Sequence, residues 1–352
     1  MITSIIKSNK ATRLAGGFNI LPMPFPRLSK YVAGFRRGMN VCLSASSGVG
    51  KTTLAKFMLI SFVDWSIKYD IPLQVKYFAL EESKEIFLTT VVIHKLHSLH
   101  GIRIDLDDIL SNREKPISDE IIQKIEEIER DYISLFLERV EIIDYIDNPT
   151  GIYKHCREAL EKLGTIEYTE IEKDDKIEKI PTGYSYNDPN QYFLIFIDHL
   201  GELSGENGGD LAASMQKMSG YMLKHLCKRF HSIGFNVHQQ AGDVESVDNF
   251  KHNKLKPSLT GLGDNKKIGR AYRLCIGLFD PKRHEIPQYK GWDMGKIGDY
   301  FRSLTIFKNN FGPSNIEVPI YFDGMTYDLK ELPETVSDAV YSKISNLKKT
   351  EY

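Results

Sequence analysis

The run Ala45-Ser46-Ser47-Gly48-Val49-Gly50-Lys51-Thr52 places small residues, a lysine and a hydroxyl at a spacing that grips phosphate. It fits Gly-x-x-x-x-Gly-Lys-[Ser/Thr] everywhere but at the first glycine, which is Ala45. Glycines let the backbone wrap so that its amides aim at phosphate oxygens, and a helix opening at Lys51 adds its own unpaired amides. In that reading Ser47, Gly48, Val49, Gly50, Lys51, Thr52 and Thr53 bind a nucleotide. Lys51 reaches its β- and γ-phosphates and Thr52 ligates Mg²⁺. A carboxylate at the end of a second buried strand is also needed. Tyr192-Phe193-Leu194-Ile195-Phe196-Ile197-Asp198 supplies one, so Asp198 is expected to hold Mg²⁺ through water. Hydrolysis further needs a base for water. Lys76-Tyr77-Phe78-Ala79-Leu80 ends at Glu81-Glu82, where a strand's carboxyl end faces the ligand crevice. Glu81 is the first choice and Glu82 stays open, because pattern alone does not say which points inward.

The elements that must position these groups alternate. Strands are expected at 40–45, 73–80, 140–143, 192–197, 236–239, 274–279 and 303–307, with 316–322 in an edge hairpin at the C-terminal side of the sheet. Helices are expected near 51–69, 84–100, 118–138, 152–163, 211–231 and 334–348. This order predicts an α/β fold, a mostly parallel sheet with helices on both faces. Residues 1–27 read as a basic, irregular leader in which Pro22, Pro24 and Pro26 forbid regular helix. The main domain covers 28–332, with a charged surface insertion at about 164–190, possible as an exposed hairpin, and a C-terminal helix and tail at 333–352.

Composition sets the limits. A hydrophobic content of 41% over 352 residues supports a sizeable core and argues against wholesale disorder. No apolar run approaches the roughly 20 residues of a membrane helix. With no signal-peptide pattern either, no membrane association and a cytoplasmic location are expected. Cys42, Cys156, Cys227 and Cys275 form no Cys-x-x-Cys pair, which points to free thiols rather than structural zinc. The net charge of -1 hides an asymmetry, since no acidic residue precedes Asp64. His94, His97 and His100 recur on a helix without an acidic or cysteine partner nearby and read as an ordinary helix face.

Taken together, these segments resemble the ATPase domain of DnaB-type replicative helicases, over about Gly17 to Leu332. Gly34-Phe35-Arg36-Arg37-Gly38 and the phosphate loop, Phe78-Ala79-Leu80-Glu81, Ile197-Asp198-His199-Leu200, the stretch from Leu223 to Gln240, and Ile306-Phe307-Lys308-Asn309-Asn310-Phe311-Gly312-Pro313 carry the likeness. The resemblance implies a RecA-like fold, ATP and Mg²⁺ as cofactors and Glu81 as catalytic base. It also implies Gln240 as γ-phosphate sensor and Lys308 reaching a neighbour's γ-phosphate across a subunit interface. It implies a homo-oligomeric, hexameric ring on single-stranded DNA, with primase or a loader as a further partner, in a prokaryotic or virus-encoded setting. Asn310 stands where the family has an arginine finger, so Arg302 or another arginine must substitute or hydrolysis is slow.

In that family, loops after the Asp198 strand and after the sensor strand line the channel. Here they are 202–212 and 242–265. The second carries Lys251, Lys254 and Lys256, followed by Lys266, Lys267 and Arg270, a basic set able to track phosphates without reading sequence. Two rival expectations are a RecA-family recombination ATPase that forms filaments and a weakly hydrolysing scaffold or loader.

Overall fold

The structure is a computed structural model that describes residues 2–173, 176–206, 208–252, 254–262 and 266–347. Parts of the predicted insertion (174–175), of both predicted channel loops (207, 253, 263–265) and of the tail (348–352) lie outside the described residues, as do the side chains of Lys266 and Lys267.

Nine strands build the central sheet. In chain order they are β1 (Asn40–Ala45), β2 (Leu73–Ala79), β3 (Val140–Ile143), β4 (Tyr192–Asp198), β5 (Ile233–Gln239), β6 (Leu274–Phe279), β7 (Phe301–Asn309), β8 (Ile316–Asp323) and β9 (Asp328–Glu331). Their spatial order is β9-β8-β7-β6-β1-β5-β4-β2-β3. From β6 to β3 every pairing is parallel, and β7, β8 and β9 add an antiparallel edge.

The apolar run of β4 explains why both faces are covered. Alternate side chains of a strand point to opposite faces. Tyr192, Leu194 and Phe196 enter one core cluster, with Leu54, Met58 and Phe62 of the helix Lys51–Tyr69 and Val91 of the helix Lys84–His100. Phe193, Ile195 and Ile197 enter the other, with Ile152 and Leu160 of the helix Pro149–Leu163 and Met218 and Leu226 of the segment 211–230. A strand this apolar is stable only between two helical layers.

Two boundaries differ from expectation. The leader is not irregular throughout, because Ile2–Leu14 is helical with no buried residue. Its second half belongs to the domain. Leu21 and Phe25 are buried, Leu21–Pro22 pairs with Gly34–Phe35, and the Arg27 backbone N–H donates to Glu331. The prolines do fall outside the helix. The insertion is a separate two-stranded hairpin, Gly164–Lys173 against Lys176–Tyr186. Near the C-terminus the helix Asp338–Leu347 docks Ile344 beside Trp292 and Ile297.

Candidate nucleotide site

Four adjacent parallel strands deliver the predicted residues to one edge. The phosphate loop follows β1, Gln240 follows β5, Asp198 ends β4 and Glu81 lies two residues beyond β2. This is the carboxyl-end crevice where open α/β sheets take ligands.

The loop after β1 needs its glycines. Gly48 and Gly50 have φ of 73° and 112°, values that residues with a Cβ rarely adopt. A Cβ on Gly50 would also lie 2.3 Å from Phe322 Cζ. The helix Lys51–Tyr69 then starts with no side-chain cap on its first amides, whereas Ser83 caps Lys84–His100 by accepting from the Ile86 N–H. Uncapped amides beside a lysine make a cradle for an anion.

Thr52 Oγ1 donates to Asp198 Oδ1 at 3.1 Å, and the Tyr77 hydroxyl donates to Asp198 Oδ2 at 2.6 Å. Burial pushes the Asp198 carboxyl up to about 6, the Tyr77 bond opposes that rise, and Glu81 adds to it. A buried carboxylate next to a threonine hydroxyl offers the hard oxygen donors that Mg²⁺ prefers, so these residues fit the ion. Lys51 Nζ lies 3.7 Å from Glu81 Oε2.

The open choice between Glu81 and Glu82 resolves by direction. Glu81 faces Lys51 and accepts from His199 Nε2 at 2.8 Å. Glu82 turns away and pairs with the buried Lys56 at 2.7 Å. Burial lowers the Lys56 pKa, and Glu82 counters it.

Gln240 reaches the site's edge in a different posture from a free sensor. It is buried, donates from Nε2 to Ser44 Oγ at 2.8 Å, and accepts the Ser258 N–H at 3.1 Å. Its amide ties the strand that feeds the phosphate loop to the following loop. Lys308 is not brought to the cluster. It sits on β7, two strands from β1, and donates to the Gly269 carbonyl at 2.8 Å. Of the predicted DNA-binding lysines, Lys251 and Lys254 are exposed. Lys256 corrects the expectation of a free basic loop, because it pairs with Glu317 of β8 at 2.6 Å.

Arg302 cannot stand in for the missing arginine across an interface from this position. It is buried, donates from Nε to the Val49 carbonyl at 3.0 Å and pairs with Asp280 at 3.2 Å, so it props up its own phosphate loop. Sequence reading missed Arg283, which donates to the Ser47 carbonyl and pairs with Glu245 at 3.1 Å. The signal was available: Lys282-Arg283-His284 is a basic run just past the carboxyl end of β6, the strand next to β1. Tyr77 and Lys56 were missed too, and an isolated tyrosine in a strand or lysine in a helix carries no pattern that marks it.

No family model matches the sequence, and a search of curated proteins finds no match. Solved structures do match in shape. The ATPase domain of a DnaB-like helicase superposes with a TM-score of 0.68 at 15% identity, over 95% of this chain and 99% of that one. A DnaB-like replicative helicase solved for its interactions with primase gives 0.65 at 15% identity, over 94% of this chain and 66% of that one. A KaiC-like protein from the hyperthermophilic archaeon Pyrococcus horikoshii gives 0.50 at 13% identity, over 89% and 99%. At such identities the likeness is one of fold, and the chain has the RecA-like α/β fold of DnaB-type ATPase domains.

Proposed function

We propose that this chain is a Mg²⁺-dependent ATP hydrolase that works as a DNA helicase, moving on single-stranded DNA as a hexameric ring during DNA replication, with primase or a loader as a further partner. The observation that carries the reading is the meeting of Lys51, Thr52, Asp198 and Glu81 at the carboxyl ends of neighbouring parallel strands. The fold likeness to DnaB-type domains supports the ring and the DNA.

The amides of Gly48 to Thr52 and the Lys51 ammonium would bind the phosphates. Thr52 and Asp198 would hold Mg²⁺, which neutralises charge on the phosphates. With Lys51 drawn to phosphate, one Glu81 oxygen is left to take a proton from water. Gln240 would pass strain at Ser44 to Ser258 and so to the loop that carries Lys251 and Lys254. Lys308 would act on a neighbour's nucleotide. Among the described residues no helix is long and apolar enough to cross a membrane.

A second reading, a scaffold or loader with weak hydrolysis, is favoured by Asn310 and by the commitment of Arg302 within its own chain. Steady-state ATP hydrolysis with and without single-stranded DNA, wild type beside Lys51→Ala, separates the two. The motor requires turnover that DNA raises and that Lys51→Ala abolishes. Turnover indifferent to DNA, or no higher than the variant's, leaves the scaffold or loader.

A further inference from the structure

The ring of His199 is fixed by two hydrogen bonds that together define its protonation pattern. The Gly201 backbone N–H donates to Nδ1 at 2.9 Å, so Nδ1 carries the lone pair. The neutral ring therefore has its proton on Nε2, an assignment from partners rather than from a seen hydrogen. Nε2 lies 2.8 Å from Glu81 Oε1 and 3.6 Å from Glu202 Oε1, so the N–H belongs to Glu81. The ligand atoms of Glu81, His199 and Glu202 all lie within 4.8 Å of one another, a grouping that also suits a metal. The Gly201 bond argues against that use, since the nitrogen facing both carboxylates is the protonated one and has no lone pair to give.

A general base works best when one oxygen is anchored and the other is free toward the proton it takes. Glu81 has that arrangement. Oε1 is held by His199, while Oε2 faces only Lys51 at 3.7 Å, an ammonium that phosphate would attract. His199 is itself buried, so the anchor is stiff although Glu81 is substantially exposed.

We propose that His199 is the positioning residue of the catalytic base: its Nε2–H fixes the Glu81 carboxylate so that the remaining oxygen addresses the attacking water. The inference rests on the ATPase reading above. It gives the histidine that follows Asp198 a task beyond the buried end of β4.

The test measures kcat and KM for Mg-ATP in His199→Phe and His199→Gln, with Glu81→Gln and Lys51→Ala as references. Phenylalanine fills the ring's space but donates nothing. Its kcat should fall on the order of 100-fold, the cost of a base out of place, with KM within about twofold. Glutamine can present an N–H where Nε2 stands, so it should recover at least about tenfold of that loss. Adding His199→Phe to Glu81→Gln should lower turnover by less than about twofold, since the two act as one unit. Should phenylalanine lower the melting temperature, His199→Gln against His199→Asn decides. The shorter amide does not reach Glu81 and must be slower. The proposal is overturned if kcat survives in His199→Phe, if glutamine is as slow as phenylalanine or asparagine, or if the losses from His199 and Glu81 multiply. Wild-type turnover no higher than that of Lys51→Ala would instead defeat the ATPase reading, and this inference with it.

Discussion

Glu81 and Glu82 are neighbours in sequence with opposite surroundings, and the difference sets what each substitution does. Glu81 is exposed toward Lys51 and His199, so Glu81→Gln should remove nearly all ATP turnover and leave the melting temperature in place. Glu82 neutralises Lys56, whose side chain is 2% exposed. Stranding that ammonium costs toward the low end of roughly 3–5 kcal/mol, because Thr90 and the rings of Phe87 and Tyr327 still face it. Glu82→Gln should therefore unfold at clearly lower denaturant while its folded fraction still hydrolyses ATP. Equal stability of the two variants would contradict this assignment. The sequence marked both carboxylates through their place after a strand, but which one turns inward depends on Lys56, a residue 26 positions away. Asp198, Thr52 and Lys51 were legible because a phosphate loop is a local pattern. Arg283 and the inward turn of Arg302 were not, because both depend on loops that meet only in the folded sheet.

At the level of elements, periodicity was a good guide wherever one face is buried. The strands β1, β2, β4 and β6 and the helices Lys51–Tyr69 and Lys84–His100 fall close to where apolar spacing puts them. The leader helix was illegible for the same reason: with every residue of Ile2–Leu14 outside the core, no apolar stripe records it. The hairpin at 164–186 shows how burial also predicts tolerance. Its outer part is exposed at Tyr168 and Ile180, and a lone two-stranded ribbon adds little stability. Its base is anchored by Tyr184, which is buried, stacks edge-on against Phe230 at 5.2 Å and donates to the Leu160 carbonyl at 2.7 Å. Replacing residues 168–182 with Asn-Gly between the paired Glu167 and Gly183 should change stability by less than about 1 kcal/mol and leave ATP turnover unchanged. Tyr184→Ala should cost about 3–5 kcal/mol, as large-to-small changes of buried aromatic residues do. Chemical denaturation of the two variants checks both halves, and a large loss on shortening would mean that the outer strands carry a contact of their own.

Over the whole molecule, the histidines set the response to acid. Burial lowers the pKa of His94, His97, His199, His225, His231, His238 and His284, seven of the ten in the chain. Carboxylates facing some of them, such as Asp328 at His97 and Glu245 at His284, recover only part of that loss. A histidine with a depressed folded pKa binds fewer protons in the folded state than in the unfolded chain, where it titrates near about 6.5. Stability is then complete above that value and falls as pH drops through it, because the unfolded state takes up the extra protons. Asp198 opposes this. Its folded value of about 6 lies above the unfolded one, so protonating it relieves a buried charge as pH falls through that value. Glu141 and Glu317, held below the usual carboxylate range by lysine partners that outweigh their burial, lose their contribution only in stronger acid. Seven groups act against one between neutrality and mild acid, so the melting temperature should decline steadily from pH 7.5 to pH 5.5, before the salt-bridged carboxylates titrate. A thermal melt series across that range, without nucleotide or metal, is the check. A flat or rising profile would mean that these rings are charged in the folded state and that the cores around them are wetter than their burial implies.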